Sequence, residues 1–212
     1  MAAKPTLLIV DVQKAFDDPA WGKRNNPDAE GNVARLLAAW RTAKAPIIHV
    51  RHRETDPEWH FFNEGDPGFE FKPEAMPVGD EPVLTKAVNS AFIGTDLEDR
   101  LHAAGATTVV IAAITTDHCG STTARMSGNL GFETWFVGDA CATFDREGPD
   151  GERFAADLMH RTSPGEPPRR IRRGRIDRRS NRKTGLGLVH VPRRQSQWNM
   201  MPANSGTPPA FR

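Results

Sequence analysis

A chain of 212 residues, 38% hydrophobic and 26% charged, is long enough for one well-buried α/β domain and leaves little for a second. Two cysteines and no signal-like N-terminus argue against a disulfide-stapled secreted protein and for a reducing cytoplasm, and no apolar run approaches the roughly 20 residues that cross a bilayer. The net charge of +1 hides a split: residues 163–212 carry twelve Lys/Arg against two acids (a net of +10), which leaves sixteen against twenty-five (a net of −9) in residues 1–162.

Thr6-Leu7-Leu8-Ile9-Val10-Asp11-Val12 is a continuous apolar run interrupted by a carboxylate, the pattern of a central parallel strand buried on both faces. An acid at the C-terminal tip of such a strand lies where open α/β sheets bind ligands. Residues Gln13 to Pro27 read as a loop, and Asn32 as the cap of an amphipathic helix over Val33–Trp40. Pro46–Arg51 is the second predicted strand. Residues 52–82 are Pro/Gly-punctuated and aromatic (Trp59, Phe61, Phe62, Phe69, Phe71), which predicts a cover over a substrate pocket. His49, His52 and His60 invite a metal reading, but the sequence places no matching acid beside them; His52 is better read as a pocket hydrogen-bonding group. No metal and no cofactor are expected.

Glu81–Lys86 is a short strand ending in a lysine. Thr95 or Asp96 caps a helix through Ala104 that Gly105 stops. Thr107–Ile114 is an apolar, β-branched strand that runs into a short polar turn and then a helix from Cys119 to Asn129 or Leu130, closed by Gly131. Glu133–Asp139 is a fifth strand, and Gly151–Arg161 one more helix with Phe154, Leu158 and Met159 on one side.

This alternation predicts a doubly wound, Rossmann-like parallel sheet. In that architecture Asp11, Lys86 and Cys119 all fall at or just beyond carboxyl ends of strands, so they can converge on one crevice. A thiol there is a nucleophile, a carboxylate can take its proton, and an ammonium holds both anions. A helix N-terminus at Cys119 and the lysine charge together predict a lowered thiol pKa. Backbone N–H groups of the turn before Cys119 would stabilise an oxyanion. Cys141 has no partner base in view and reads as structural.

Three segments carry a resemblance to a known family: Leu8-Ile9-Val10-Asp11-Val12-Gln13-Lys14-Ala15-Phe16, Lys86 with Asn89-Ser90-Ala91-Phe92, and Thr115-Thr116-Asp117-His118-Cys119-Gly120-Ser121-Thr122-Thr123-Ala124-Arg125. Over residues 5–162 the chain resembles the isochorismatase-like cysteine hydrolases, a group that includes nicotinamidases, N-carbamoylsarcosine amidohydrolase-like enzymes and isochorismatases. The resemblance implies a six-stranded parallel sheet, an Asp11-Lys86-Cys119 triad, and a cis peptide at Ile114-Thr115. It also implies an oxyanion hole from the N–H groups of Thr115 and Cys119. Phe16, His52 and Phe92 would contact substrate, and a homo-oligomer is expected. The metal-binding pattern of the nicotinamidases is not reproduced around His49–His60, and an intact Cys119 favours acyl chemistry on an amide or ureido C–N bond over vinyl ether cleavage, the alternative within the family.

The hydrolase domain is thus expected over residues 1–162, followed by an Arg/Pro-rich basic tail over 163–212, where the family's last helix and strand should develop. The tail reads either as a disordered cationic arm for a polyanion or as a stretch read from an altered frame of the gene; the alternative to a cysteine hydrolase is a non-catalytic relic or polyanion-binding protein whose damaged C-terminus abolished turnover. The loss of the last strand would leave a sheet edge uncovered. Within the tail only Gly185–Val191 could form a strand. A small-molecule substrate is the expected partner; nucleic acid and membrane are not.

Overall fold

The computed structural model describes residues 4–56, 59, 61–163 and 189–191. Five parallel strands form its centre: β1 (Thr6–Val10), β2 (Ile47–His52), β3 (Val83–Lys86), β4 (Thr108–Ala113) and β5 (Glu133–Phe136). Their spatial order is β3-β2-β1-β4-β5. The chain winds outward from β1 through β2 to β3, then crosses back to β4 on the other side of β1. The switch point therefore lies between β1 and β4, the place where doubly wound sheets bind ligands beyond the carboxyl ends of their strands.

Both faces of the sheet are covered, and the two-residue period of the strands sorts the side chains between them. Leu7 and Ile9 of β1 and Val110 and Ala112 of β4 join one core cluster with Val33, Leu36 and Leu37 of α1 (Ala29–Thr42). Leu8, Val10, Val109 and Ile111 join the other, with Leu97 and Leu101 of α2 (Leu97–Ala103) and Ala124 of α3 (Ser121–Asn129). Burial on both sides is why β1 and β4 are apolar without alternation.

Several boundaries differ from the sequence reading, each for a physical reason. α1 starts at Ala29, a turn earlier than predicted, so Asn32 lies inside it; its side-chain amide reaches the carbonyl of Asp139 rather than capping the helix. The predicted Gly151–Arg161 helix shrinks to α4 (Ala156–Thr162), because Arg153–Phe154 (β7) pairs antiparallel with Arg146–Glu147 (β6). Leu158 accordingly points outward, and Ala156 is the residue of α4 that is buried. The expected loop after β1 folds into two 3₁₀ turns, Lys14–Asp17 and Pro19–Trp21.

The sixth strand differs most. Val189–Val191 (β8) pairs with β5, but antiparallel, with Thr134 opposite Val191 and Phe136 opposite Val189. The edge expected to be open is therefore paired over three residues, and the all-parallel sixth strand implied by the resemblance is replaced by a reversed one. Residues 164–188 and 192–212, on which the readings of the basic tail fall, lie outside the described residues.

Candidate active site

The site is built by three strand ends. β1 stops at Asp11 because its φ of +56° turns the chain out of the sheet, a left-handed conformation that Asp tolerates better than most residues. The kink leaves the Asp11 side chain buried at the switch point. β3 ends at Lys86, one strand beyond β2. After β4 the Ile114-Thr115 peptide is cis, and residues Thr116–Gly120 form a π-helical turn that leads into α3. Cys119 sits within that turn and not, as expected, as the first residue of the α-helix.

Gly120 allows the turn to close. A Cβ there would lie 3.0 Å from the Cβ of Ala113 and 3.0 Å from the carbonyl oxygen of Thr115. The Thr116 N–H donates to Ala142 O and the Gly120 N–H to Thr115 O, which seat the turn against the sheet. Asp117 lies behind it, accepting from Arg146 Nε at 2.7 Å and from the hydroxyl of Thr143. Thr116 Oγ1 is 2.8 Å from His160 Nδ1, so α4 docks directly on the turn that carries the cysteine. Sequence reading missed Arg146 and His160. Neither carries a local signal, since their partners are 29 and 44 residues away.

Asp11, Lys86 and Cys119 do converge. Lys86 Nζ donates to Asp11 Oδ2 at 2.6 Å and to Cys119 Sγ at 3.3 Å, and lies 3.4 Å from His52 Nδ1. Burial works against the Lys86 ammonium, yet the Asp11 carboxylate and Cys119 outweigh it and hold its pKa above the ordinary lysine value. His52 is pushed down, by burial first and by the Lys86 charge second, so its ring is neutral at pH 7.

The thiol corrects the sequence reading. A helix N-terminus and a lysine predicted a lowered pKa for Cys119. Burial instead pushes the thiol up, and the facing Asp11 carboxylate adds to that; Lys86 pulls the other way without winning. Asp11 Oδ1 is buried with no hydrogen-bond partner among the described residues. One carboxylate oxygen is thus occupied by Lys86 and the other is left as an acceptor.

The other predicted site residues fare unevenly. His52 stands beside Lys86, with its ring edge-on to Phe62 at 5.3 Å between centroids. Phe16 is buried in an aromatic cluster, 5.1 Å from Trp21 and 5.2 Å from Phe62 between centroids. Phe92 stacks on Phe132 at 6.2 Å, on the same side of the sheet as Cys119. Among the described residues of the 52–82 segment, Phe62, Phe69 and Phe71 are buried, while Trp59 is exposed. Thr115, at the start of the turn that carries Cys119, is buried. Cys141 is fully buried, its sulfur accepting from the Ala113 N–H at 3.2 Å.

Among the described residues no group of three or more His, Cys, Asp or Glu side chains could hold a metal ion. His49 is engaged with Glu81, 2.8 Å away and itself clamped by Arg41. That acid stands 32 residues further along the chain, which is why no partner for His49 was visible locally. His60 lies outside the described residues. No helix among the described residues is long and apolar enough to cross a membrane.

Comparison with known proteins identifies the class of protein that carries this α/β fold. The isochorismatase domain model matches residues 5–161. The uncharacterized isochorismatase family protein YrdC of Bacillus subtilis is 45% identical over 163 residues, 77% of this chain and 87% of its own. A solved isochorismatase-family structure from Chromobacterium violaceum superposes with a TM-score of 0.73 at 46% identity, covering 76% of this chain and 83% of its own. Maleamate amidohydrolase of Pseudomonas putida is 31% identical over 152 residues, 63% of this chain and 70% of that enzyme. The chain belongs to the isochorismatase family and is a hydrolase of that family.

Proposed function

We propose that this hydrolase cleaves a carboxamide-like C–N bond of a small molecule, amide or ureido, through an acyl-enzyme on Cys119. The observation that carries the reading is the Lys86 ammonium placed between Asp11 Oδ2 at 2.6 Å and Cys119 Sγ at 3.3 Å. A thiol held protonated needs a base at the moment of attack, and the unpartnered Asp11 Oδ1 is available for that proton. As Sγ attacks the carbonyl carbon, the S–C bond forms, the thiol proton passes to Asp11, and the carbonyl electron pair moves to oxygen.

The N–H groups of Thr115 and Cys119 receive the resulting oxyanion, a preorganised stabilisation that costs no rearrangement at the moment of reaction. Asp11 then returns its proton to the leaving nitrogen as the C–N bond breaks. Water, giving a proton to Asp11, attacks the thioester; the acid departs and the thiol is restored. Lys86 keeps opposite charge beside whichever of Asp11 and Cys119 is anionic. Phe92 and the aromatic cluster around Phe16 bound the substrate side, and His52 closes it from β2. The amidohydrolase named among the relatives supports the C–N bond as the target. Two free thiols suit a reducing compartment, and we assign the cytoplasm.

A panel of small primary amides and ureido compounds, assayed for ammonia release, tests this reading. Cys119→Ala should lose about 10⁴-fold or more in kcat, as removal of a nucleophile does elsewhere. Intact-mass measurement of the wild type during turnover should show the acyl adduct. Turnover that survives Cys119→Ala would overturn the proposal and point to chemistry that needs no thiol.

A further inference from the structure

A lysine ammonium has three N–H donors, and in a buried site each needs an acceptor. Lys86 is 2% exposed. Asp11 Oδ2 takes one donor at 2.6 Å and Cys119 Sγ a second at 3.3 Å. The remaining donor has His52 Nδ1, at 3.4 Å. We infer that His52 is a positioning residue for Lys86, its Nδ1 accepting the third ammonium proton and so holding Nζ between the carboxylate and the thiol. The inference rests on the roles proposed above for Lys86 and Cys119.

Four further observations support it. His52 and Lys86 are register partners on neighbouring parallel strands, so their side chains leave the sheet together. The His52 backbone is clamped on both sides by one buried side chain: its N–H donates to Gln13 Oε1 at 2.7 Å, and Gln13 Nε2 donates to its carbonyl at 3.0 Å. Gln13 Nε2 also donates to Phe69 O at 3.0 Å, which ties the cover segment to the same point. The groups facing the ring are Lys86 and Asp11 on one side, Glu54 on the other and the edge-on Phe62.

Acceptance at Nδ1 places the ring proton on Nε2, which lies 3.9 Å from Glu54 Oε2. The carboxylate therefore favours the tautomer that leaves Nδ1 free to accept. This role differs from substrate contact. In this role His52 acts through Lys86, and its loss would slacken the ammonium.

The test reads the thiol, so it needs no substrate. Alkylation of Cys119 by iodoacetamide is followed by peptide mass spectrometry near neutral pH in the wild type, Lys86→Met, His52→Leu and His52→Asn. Asn places a carboxamide oxygen near the position of Nδ1, whereas Leu keeps bulk against Phe62 and offers no acceptor. His52→Leu should slow alkylation by about tenfold, the worth of one hydrogen bond to a charged group, and His52→Asn should recover most of the rate. A rate in His52→Leu equal to the wild type, or His52→Asn as slow as His52→Leu, overturns the inference. A second reading needs no variant and so does not depend on how the leucine protein folds: ¹⁵N NMR of the wild-type imidazole, where a proton on Nε2 supports the inference and one on Nδ1 overturns it. Lys86→Met separates the two levels. If it leaves the thiol unchanged, the proposed site fails; if it slows the thiol while His52→Leu does not, only the role of His52 falls.

Discussion

Lys72 and Lys86 are both buried, at 4% and 2% exposure, yet they sit in opposite kinds of surroundings. Lys72 is part of the cover segment and pairs with Glu30 Oε1 at 2.9 Å and with Asp17, while Arg24 also donates to Glu30. Each of its acceptors is a carboxylate, and Glu30 is kept ionised down to about 2: burial opposes its charge, but the hydrogen bonds from Arg24 and Lys72 prevail. Lys86 has one carboxylate, one thiol and one neutral imidazole. Two of those three can exchange a proton with little movement of heavy atoms. A buried lysine whose partners are all fixed anions fastens a loop, whereas one whose partners can change protonation can serve chemistry.

The largest difference should appear when each ammonium is removed. Lys86→Met leaves the Asp11 carboxylate buried without its cation, and urea unfolding should show a loss of about 3–5 kcal/mol. Lys72→Met leaves Glu30 with Arg24 and Asp17 largely in water, so a loss of about 1–2 kcal/mol is expected. Equal costs would break the contrast. Gly120→Ala comes next. Its Cβ would press on Ala113 and on the Thr115 carbonyl, so it should destabilise by about 1–3 kcal/mol and slow the alkylation of Cys119, while the Lys72 cluster is untouched.

The last prediction concerns pH. The folded-state pKa of Glu30 lies below its unfolded value of 4.5, so its contribution to stability is complete above that value and is lost as pH falls toward about 2. Glu30→Gln should flatten this part of the acid unfolding curve, measured by urea titrations at steps between pH 5 and pH 2. Unchanged slopes would remove Glu30 from the account.

Much of the fold was readable residue by residue. Thr6–Val10 and Thr108–Ala113 are apolar at every second position and at the positions between, so a strand buried on both faces follows from composition alone. Gly105 and Gly131, at φ of +62° and +90°, stop their helices where a glycine was expected to do so. The starts of α1 and α4 were less readable. Ala29-Glu30-Gly31 carries no strong initiation signal, and Arg153–Phe154 is withdrawn from its helix by a pairing partner in Arg146–Glu147. Local propensity yields there to tertiary contact.

For the site, the chain alone placed Asp11, Lys86 and Cys119 at strand ends, because parallel strands bring all their carboxyl ends to the same edge of the sheet. It could not tell that the thiol is pushed up rather than down, since that depends on how deeply the sulfur is set and on how the Asp11 and Lys86 charges stand against it. Nor could it show His52 as the third acceptor of one ammonium, or Gln13 as the clamp behind it. Hydrophobic period and the succession of strands and helices along the chain are one-dimensional properties and survive in the sequence. Distances between side chains 34 or 75 residues apart are set only when the sheet closes its register, and at this site those distances decide which atom holds the proton.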